Sequence, residues 1–153
     1  MTVVFEHRTE IGAPPDVVFG LSLDIDAHLA SMARSRERAI AGVTTGQIGL
    51  GEEVTWRARH FAVPFRMTSR VTALDRPHRF VDEQTRGPFR RFHHEHRFEA
   101  TDSGTVMIDA VSFDAPLGQV GRLFECLVLG RYIRRLIEER AAFLKHTAED
   151  RPA

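Results

Sequence analysis

The chain has 153 residues, 42% of them hydrophobic and 27% charged, with 21 basic residues balanced by 21 acidic ones; this is the make-up of one globular domain, and it excludes a dedicated nucleic-acid binder, whose basic excess would show in the totals. A single cysteine, Cys126, excludes an internal disulfide and a cysteine-based zinc cluster. No apolar run reaches the length of a membrane span and MTVVFEH lacks the apolar stretch of a secretory signal, so the expected setting is reducing and cytoplasmic, with no membrane insertion.

In chain order, TVVFEHRTEI (2–11) alternates as a strand, with Val3, Phe5, His7, Thr9 and Ile11 on one side. Gly12-Ala13-Pro14-Pro15-Asp16 ends it, and VVFGLSLDI follows with helical spacing after prolines suited to a first turn. DAHLASMA reads as a second short helix, with Asp24 or Asp26 as N-cap. From Arg38 onward strands are expected: RAIAG, then, after a loop with glycines at 46, 49 and 51, EEVTWRARHF, FRMTSRVTALD, HRFVDEQTR, PFRRFHHEHRFEA and TVMIDAVSFDA. Turn-formers at Ala62-Val63-Pro64, Asp75-Arg76-Pro77, Gly87-Pro88 and Thr101-Asp102-Ser103-Gly104 separate them, and such short breaks make antiparallel hairpins.

Residues 117–149 read as one long amphipathic helix, with Arg134–Glu138 and Arg135–Glu139 as ion pairs on its wet side. Gly130 lies mid-helix at a cost of about 1 kcal/mol relative to alanine, so a bend is expected there. No repeat or linker interrupts the chain; residues 1–148 form a single domain and 149–153 a disordered tail. A curved antiparallel sheet of about seven strands, with one long helix to cover it and two short helices after the first strand, gives an α+β architecture. A sheet curled around one helix leaves a space between them.

The opening strand, Ile11-x-Ala13-Pro14-Pro15-Asp16-x-x-Phe19, the glycine-bearing loop at 42–51, and residues 73–99 followed by Gly104-Thr105-x-Met107-x-Asp109 resemble the START-like, or SRPBCC, superfamily over roughly residues 2 to 148, in particular its bacterial ligand-binding and polyketide-cyclase-like branch. The resemblance implies a helix-grip fold and a deep, mostly apolar cavity, used by different members for lipids, sterols, quinones or polyketides. It implies no metal and no cofactor, and its motifs are not catalytic.

The densest chemistry lies in RGPFRRFHHEHRFE (86–99). Read as a strand, Phe92, His94, His96 and Phe98 share the inner face, while Arg91, His93, Glu95, Arg97 and Glu99 form a solvated outer row. With Ala100 opposite Thr105 across the Thr101–Gly104 turn, Phe98 faces Met107, His96 faces Asp109, His94 faces Val111 and Phe92 faces Phe113; a slip by one residue would set apolar side chains against the charged row. His96 and Asp109 thus form a candidate cross-strand pair, which His7 of the first strand could join. Such a pair can merely satisfy polar groups in a damp cavity, orient a ligand, or move a proton. Counting across Gly87-Pro88 turns Val81 and Glu83 inward and Phe80 outward, an arrangement that a bulge would reverse.

His-x-His on a strand with Asp109 nearby is the start of a metal site, but no cysteine or acidic cluster completes a shell. The arginines of 86–97 with Phe89 and Phe92 look RNA-like only until alternation sends Phe92 inward. Residues 46–51 lack the lysine and helix of a phosphate loop, and no serine sits in a nucleophile elbow. The expected cavity walls are Trp56, Met67, Val71, Phe92, Met107, Val111, Phe113, Phe124 and Leu127, with His94, His96, Asp109, His7 and Glu83 fixing orientation. The expected partner is a small hydrophobic molecule (lipid, polyketide, isoprenoid or similar), bound by a monomer or homodimer without nucleic acid. The rival is a cyclase, aromatase or dehydratase in which His96, oriented by Asp109, shuttles a proton and His94 polarises a carbonyl; a third reading is a quinone-handling or chaperone-like partner protein.

Overall fold

The computed structural model describes residues 2–114 and 122–150, and within the last helix the side chains from Leu127 onward. Strand β1 (Thr2–Ile11) leads into α1 (Pro15–Leu23) and α2 (Ile25–Ser31), then a 3-10 turn at Ala33–Ser35. Six strands follow: β2 (Arg38–Gly42), β3 (Glu53–His60), β4 (Val63–Asp75), β5 (Arg79–Arg86), β6 (Arg91–Thr101) and β7 (Gly104–Asp114), before α3 (Arg122–Glu149). They form one antiparallel sheet in the order β1-β7-β6-β5-β4-β3-β2, so the first strand pairs with the last.

Local chemistry sets the boundaries. Pro15 occupies the first turn of α1, and Asp24 caps α2 by accepting from Ala27 N at 2.9 Å. Asp26 then holds the glycine-bearing loop, accepting from Gly46 N (2.9 Å) and Thr45 Oγ1 (2.7 Å); the same loop bonds α1 and α2 through Ile25 N to Gly46 O and Ile48 N to Leu23 O. Gly42, at φ 74°, lies so close to β3 that a β-carbon would overlap Glu53 O.

The turn between β3 and β4 is tighter than the Ala62-Val63-Pro64 break suggests. His60 pairs directly with Val63, and Phe61 and Ala62 both take left-handed conformations (φ 51° and 62°), because two such residues match the twist of a two-residue hairpin. Pro64 therefore lies inside β4, opposite Arg59. The register of β6 on β7 matches the expected one throughout, including His96 opposite Asp109 and Phe92 opposite Phe113.

Helix α3 packs on β1, α1 and α2. Gly130 faces Val3 so closely that a β-carbon would come within 3.3 Å of it; the glycine makes room for β1. Arg135 pairs with Glu139 as expected, whereas Arg134 lies over the Phe5 ring (4.6 Å) rather than beside Glu138. The helix runs through Glu149, whose carboxylate accepts from Gly12 N (2.8 Å) and Lys145 (2.7 Å), so the packed chain continues past residue 148. Apolar side chains divide into two cores. One joins α1 to the sheet through Phe19, edge-on to both Phe80 and Phe98; the other joins Phe5, Val111 and Phe113 to Ile133 and Ile137 of α3.

Candidate functional site

Between the sheet and α3 lies a cavity of about 250 Å³. Strands β3 to β6 supply Trp56, Ala58, Met67, Val71, Phe80 and Phe92, and α3 supplies Leu129, Tyr132, Ile133, Leu136 and Ile137. Trp56 lies against the imidazole of His28 (4.3 Å between ring centroids), which is itself bound to Glu37 Oε1 at 2.7 Å. The cavity opens beside the β3–β4 turn, where wall residue Phe61 is 66% exposed. There His60 Nδ1 and the Tyr132 hydroxyl, 2.6 Å apart, tie the end of β3 to α3.

A polar cluster lines and underlies the opposite side. Asp109 on β7 is fully buried, and its Oδ1 accepts from His94 Nε2 at 2.8 Å. His96 Nδ1 lies 3.0 Å from the same oxygen, off the line of a well-formed hydrogen bond, and His96 Nε2 bonds Asp82 Oδ1 at 2.9 Å. Arg140 of α3 is 4% exposed; it donates to Ser22 O (3.0 Å) and brings Nη1 to 3.7 Å from Asp109. Phe80 stacks on His96 (4.0 Å), and the two imidazoles lie ring against ring at 3.7 Å.

Burial alone would favour the neutral form of each carboxyl and imidazole in this cluster. For Asp109 and Asp82 that cost is outweighed by hydrogen bonds from the histidines and by the surrounding positive charge, and both carboxyls stay below the usual carboxylate range. His94 is pushed down by burial and by the neighbouring charge of His96. His96 also loses solvation, but its place between two carboxylates raises it above an ordinary histidine. The consistent assignment is two carboxylates, one imidazolium (His96) and one guanidinium (Arg140), which sum to zero beside a neutral His94. An ionised carboxylate only accepts, so the proton of His94 sits on Nε2 and leaves Nδ1 as a free base.

Of the residues singled out by sequence, Trp56, Met67, Val71, Phe92, His94 and His96 line the cavity, and Asp109 lies directly behind the histidines. Several others do not line it. His7 stands opposite Asp109 in the ladder, but α3 packs over β1 and the cavity does not reach it. Met107 is buried in the core with Ser22 Oγ 3.8 Å from its sulfur, and Val111 and Phe113 are covered by Ile133 and Ile137. Leu127 is 54% exposed, because it sits two residues, about 200° of helical rotation, from wall residue Leu129. Phe124 lies outside the described side chains.

Glu83 faces outward, where it accepts from His93 Nδ1 at 2.9 Å. The register Phe80↔His96 and Asp82↔His94 turns Phe80 and Asp82 inward instead. Asp82 and Arg140 were missed by sequence reasoning. The alternation Phe80-x-Asp82 carried the first signal, and the place of Arg140 on the stripe Ile133, Ile137, Leu144 carried the second.

Among the described residues, Asp82, His94 and His96 are a group whose donor atoms could share a metal ion, all within 4.8 Å of one another. Three of the four imidazole nitrogens already face carboxylates, His94 Nε2 and His96 Nδ1 toward Asp109 and His96 Nε2 toward Asp82, so an ion would have to displace some of these contacts.

Comparisons with solved structures agree with this architecture. The Zhui aromatase/cyclase of Streptomyces sp. R1128 superposes with a TM-score of 0.77 at 18% identity, over 97% of this chain and 94% of that one. TTHA0849 of Thermus thermophilus gives 0.72 at 18% identity over 97% and 99%, and the major latex-like protein 151 of Panax ginseng gives 0.67 at 10% over 96% and 97%. At such identities the likeness establishes the fold alone, a helix-grip arrangement of curved sheet and long helix. No curated protein matches the chain. Residues 2–149 match the family described as polyketide cyclase / dehydrase and lipid transport, and the chain belongs to that family.

Proposed function

We propose that the protein binds a small, mostly apolar molecule carrying an oxygen function in the cavity between the sheet and α3. The observation that supports this most directly is the asymmetry of the cavity: mostly apolar walls from Trp56 to Ile137 run to a compact set of polar groups, the buried His94, His96 and Arg140 with the partly buried Asp82. Apolar area provides affinity and a few fixed polar groups provide orientation in such sites. Native mass spectrometry of gently purified protein should find a retained small molecule, and Ala58→Trp, which fills the cavity, should release it. Retention unaltered by that substitution would place the ligand elsewhere.

A second reading, proton-transfer catalysis of the cyclase or dehydratase kind, is favoured by the opposed shifts of the two adjacent histidines. Two like groups whose environments separate their pKa values are suited to separate acid and base roles. On this reading neutral His94, its tautomer held by Asp109, takes a proton from an activated carbon through Nδ1. The His96 imidazolium, whose two N–H groups face Asp82 and Asp109, polarises the adjoining carbonyl through its nearby positive charge rather than by donating to it. These roles exchange those suggested by the sequence. Asp109→Asn should then abolish turnover of a candidate poly-carbonyl substrate while its binding survives; equal loss of binding, with no chemistry in the unaltered protein, would leave the binding reading alone.

A further inference from the structure

The outer face of β2–β4 carries charge that the cavity does not use. Arg38 on β2 pairs with Arg57 on β3, which pairs with Arg66 on β4, so three exposed arginines stand in one row across three strands. Arg36 and Arg59 border the same depression as Arg38 and Arg57. Like charges at directly opposed strand positions repel. On β1, β5 and β6 such charges are interleaved with acids, as in Arg97–Glu6 (2.7 Å) and Arg79–Glu95 (3.2 Å). Among the described residues none of these five arginines has a carboxylate within 4.0 Å. Glu37, between two of them in sequence, is turned inward to His28. In a chain of zero net charge this is a segregated, unanswered positive patch.

The β3–β4 turn projects from the end of that face. Phe61 is 66% and Val63 53% exposed, although both are large and apolar. Phe61 rests on Tyr132 (4.6 Å) at the cavity mouth, and Val128, one turn earlier on α3, is exposed as well.

We propose that this end of the molecule docks on a membrane surface bearing anionic phospholipid headgroups. The arginines take the lipid phosphates, to which a guanidinium donates paired hydrogen bonds, and Phe61 and Val63 enter the boundary between headgroups and acyl chains. A small free anion would answer the arginines but not the bare apolar turn; a membrane interface answers both. No described helix is long and apolar enough to cross a membrane, so the contact is peripheral. It faces the cavity mouth toward the bilayer and gives an apolar molecule a dry route. The docking stands on the surface alone and does not depend on what the cavity holds.

Flotation with vesicles tests it. The protein should float with vesicles in which roughly one lipid in three is phosphatidylglycerol, should stay behind with pure phosphatidylcholine, and should be released as salt rises. Arg57→Gln with Arg66→Gln, which removes the repulsion along the row and should keep the native circular dichroism, should lower vesicle affinity by about tenfold or more. Phe61→Ser should weaken it further. Binding of a soluble apolar dye in the cavity should be unchanged in the double variant, which separates a failure of docking from a failure of the cavity reading. Equal binding to both vesicle types, full binding by the double variant, or retention on heparin with no vesicle binding would overturn the proposal, the last in favour of a soluble anionic partner.

Discussion

His94 and His96 stand ring against ring, 3.7 Å between centroids, and share one carboxylate oxygen of Asp109. Two imidazolium ions cannot occupy that space together, so their titrations must separate. His96 lies above its unfolded value: its stabilising contribution is complete below about pH 6.5 and is lost as pH rises through the folded value. His94 runs the other way, contributing above about pH 6.5 and losing that contribution as pH falls through its depressed value. Of the eight histidines, side-chain NMR should show the His96 resonance titrating above about 6.5 and the His94 resonance below it. Two overlapping transitions would refute the assignment of charge.

Asp109 is the acceptor on which the cluster depends. Its replacement by alanine leaves His94 Nε2, His96 Nδ1 and Arg140 Nη1 without the carboxylate they face in a buried site. Removing one side of a buried charge pair costs about 3–5 kcal/mol. Urea denaturation at neutral pH should register a loss of that size for Asp109→Ala, whereas Glu95→Gln on the wet face should cost under about 1 kcal/mol. Similar costs for the two would mean that Asp109 is not the keystone of the cluster.

Trp56 is the only tryptophan in the chain, and it lines the cavity. An apolar probe that enters should therefore change the whole intrinsic tryptophan signal. In Ala58→Trp the same probe should find no room, and the change on titration should vanish. A persistent response with unaltered midpoint would put the probe on the surface.

Gly42 has no substitute that its backbone can accept. At φ 74°, with Glu53 O where a β-carbon would stand, Gly42→Ala should cost about 2 kcal/mol or more. Gly46, also at positive φ but with open space around it, should cost less when changed to alanine. Thermal melts of the two variants give the comparison, and equal losses would show that left-handed strain, not the collision, governs the loop.

The contrast between β7 and β5 shows what could be read from sequence. The β6–β7 register was legible because a four-residue turn and four matched inner pairs fix parity over eleven residues, and every one of those pairs stands as expected. The β5–β6 pairing was not, because residues 87–90 lie outside the ladder and counting across Gly87-Pro88 alone shifts parity by one. That single shift exchanged Glu83 for Asp82 in the site. Arg140 was hidden for a different reason: an arginine on an apolar helical stripe looks like an interruption until its acceptors, Ser22 O and Asp109, arrive from elsewhere in the chain. Leu127 and His7 show the converse, since the right residue type on the right element still depends on helical phase and on which strand the helix covers.

The pairing of β1 with β7 also sets a timetable. Residues 2–11 find their partner strand β7 about a hundred positions later, so during synthesis the first strand must wait, half apolar and unpaired, until most of the chain has left the ribosome. Contacts this distant in sequence slow folding, and a waiting edge strand is open to wrong partners. Glu6, Arg8 and Glu10, alternating with the apolar residues of β1 on its exposed side, give that waiting strand a charged flank that discourages pairing with another copy.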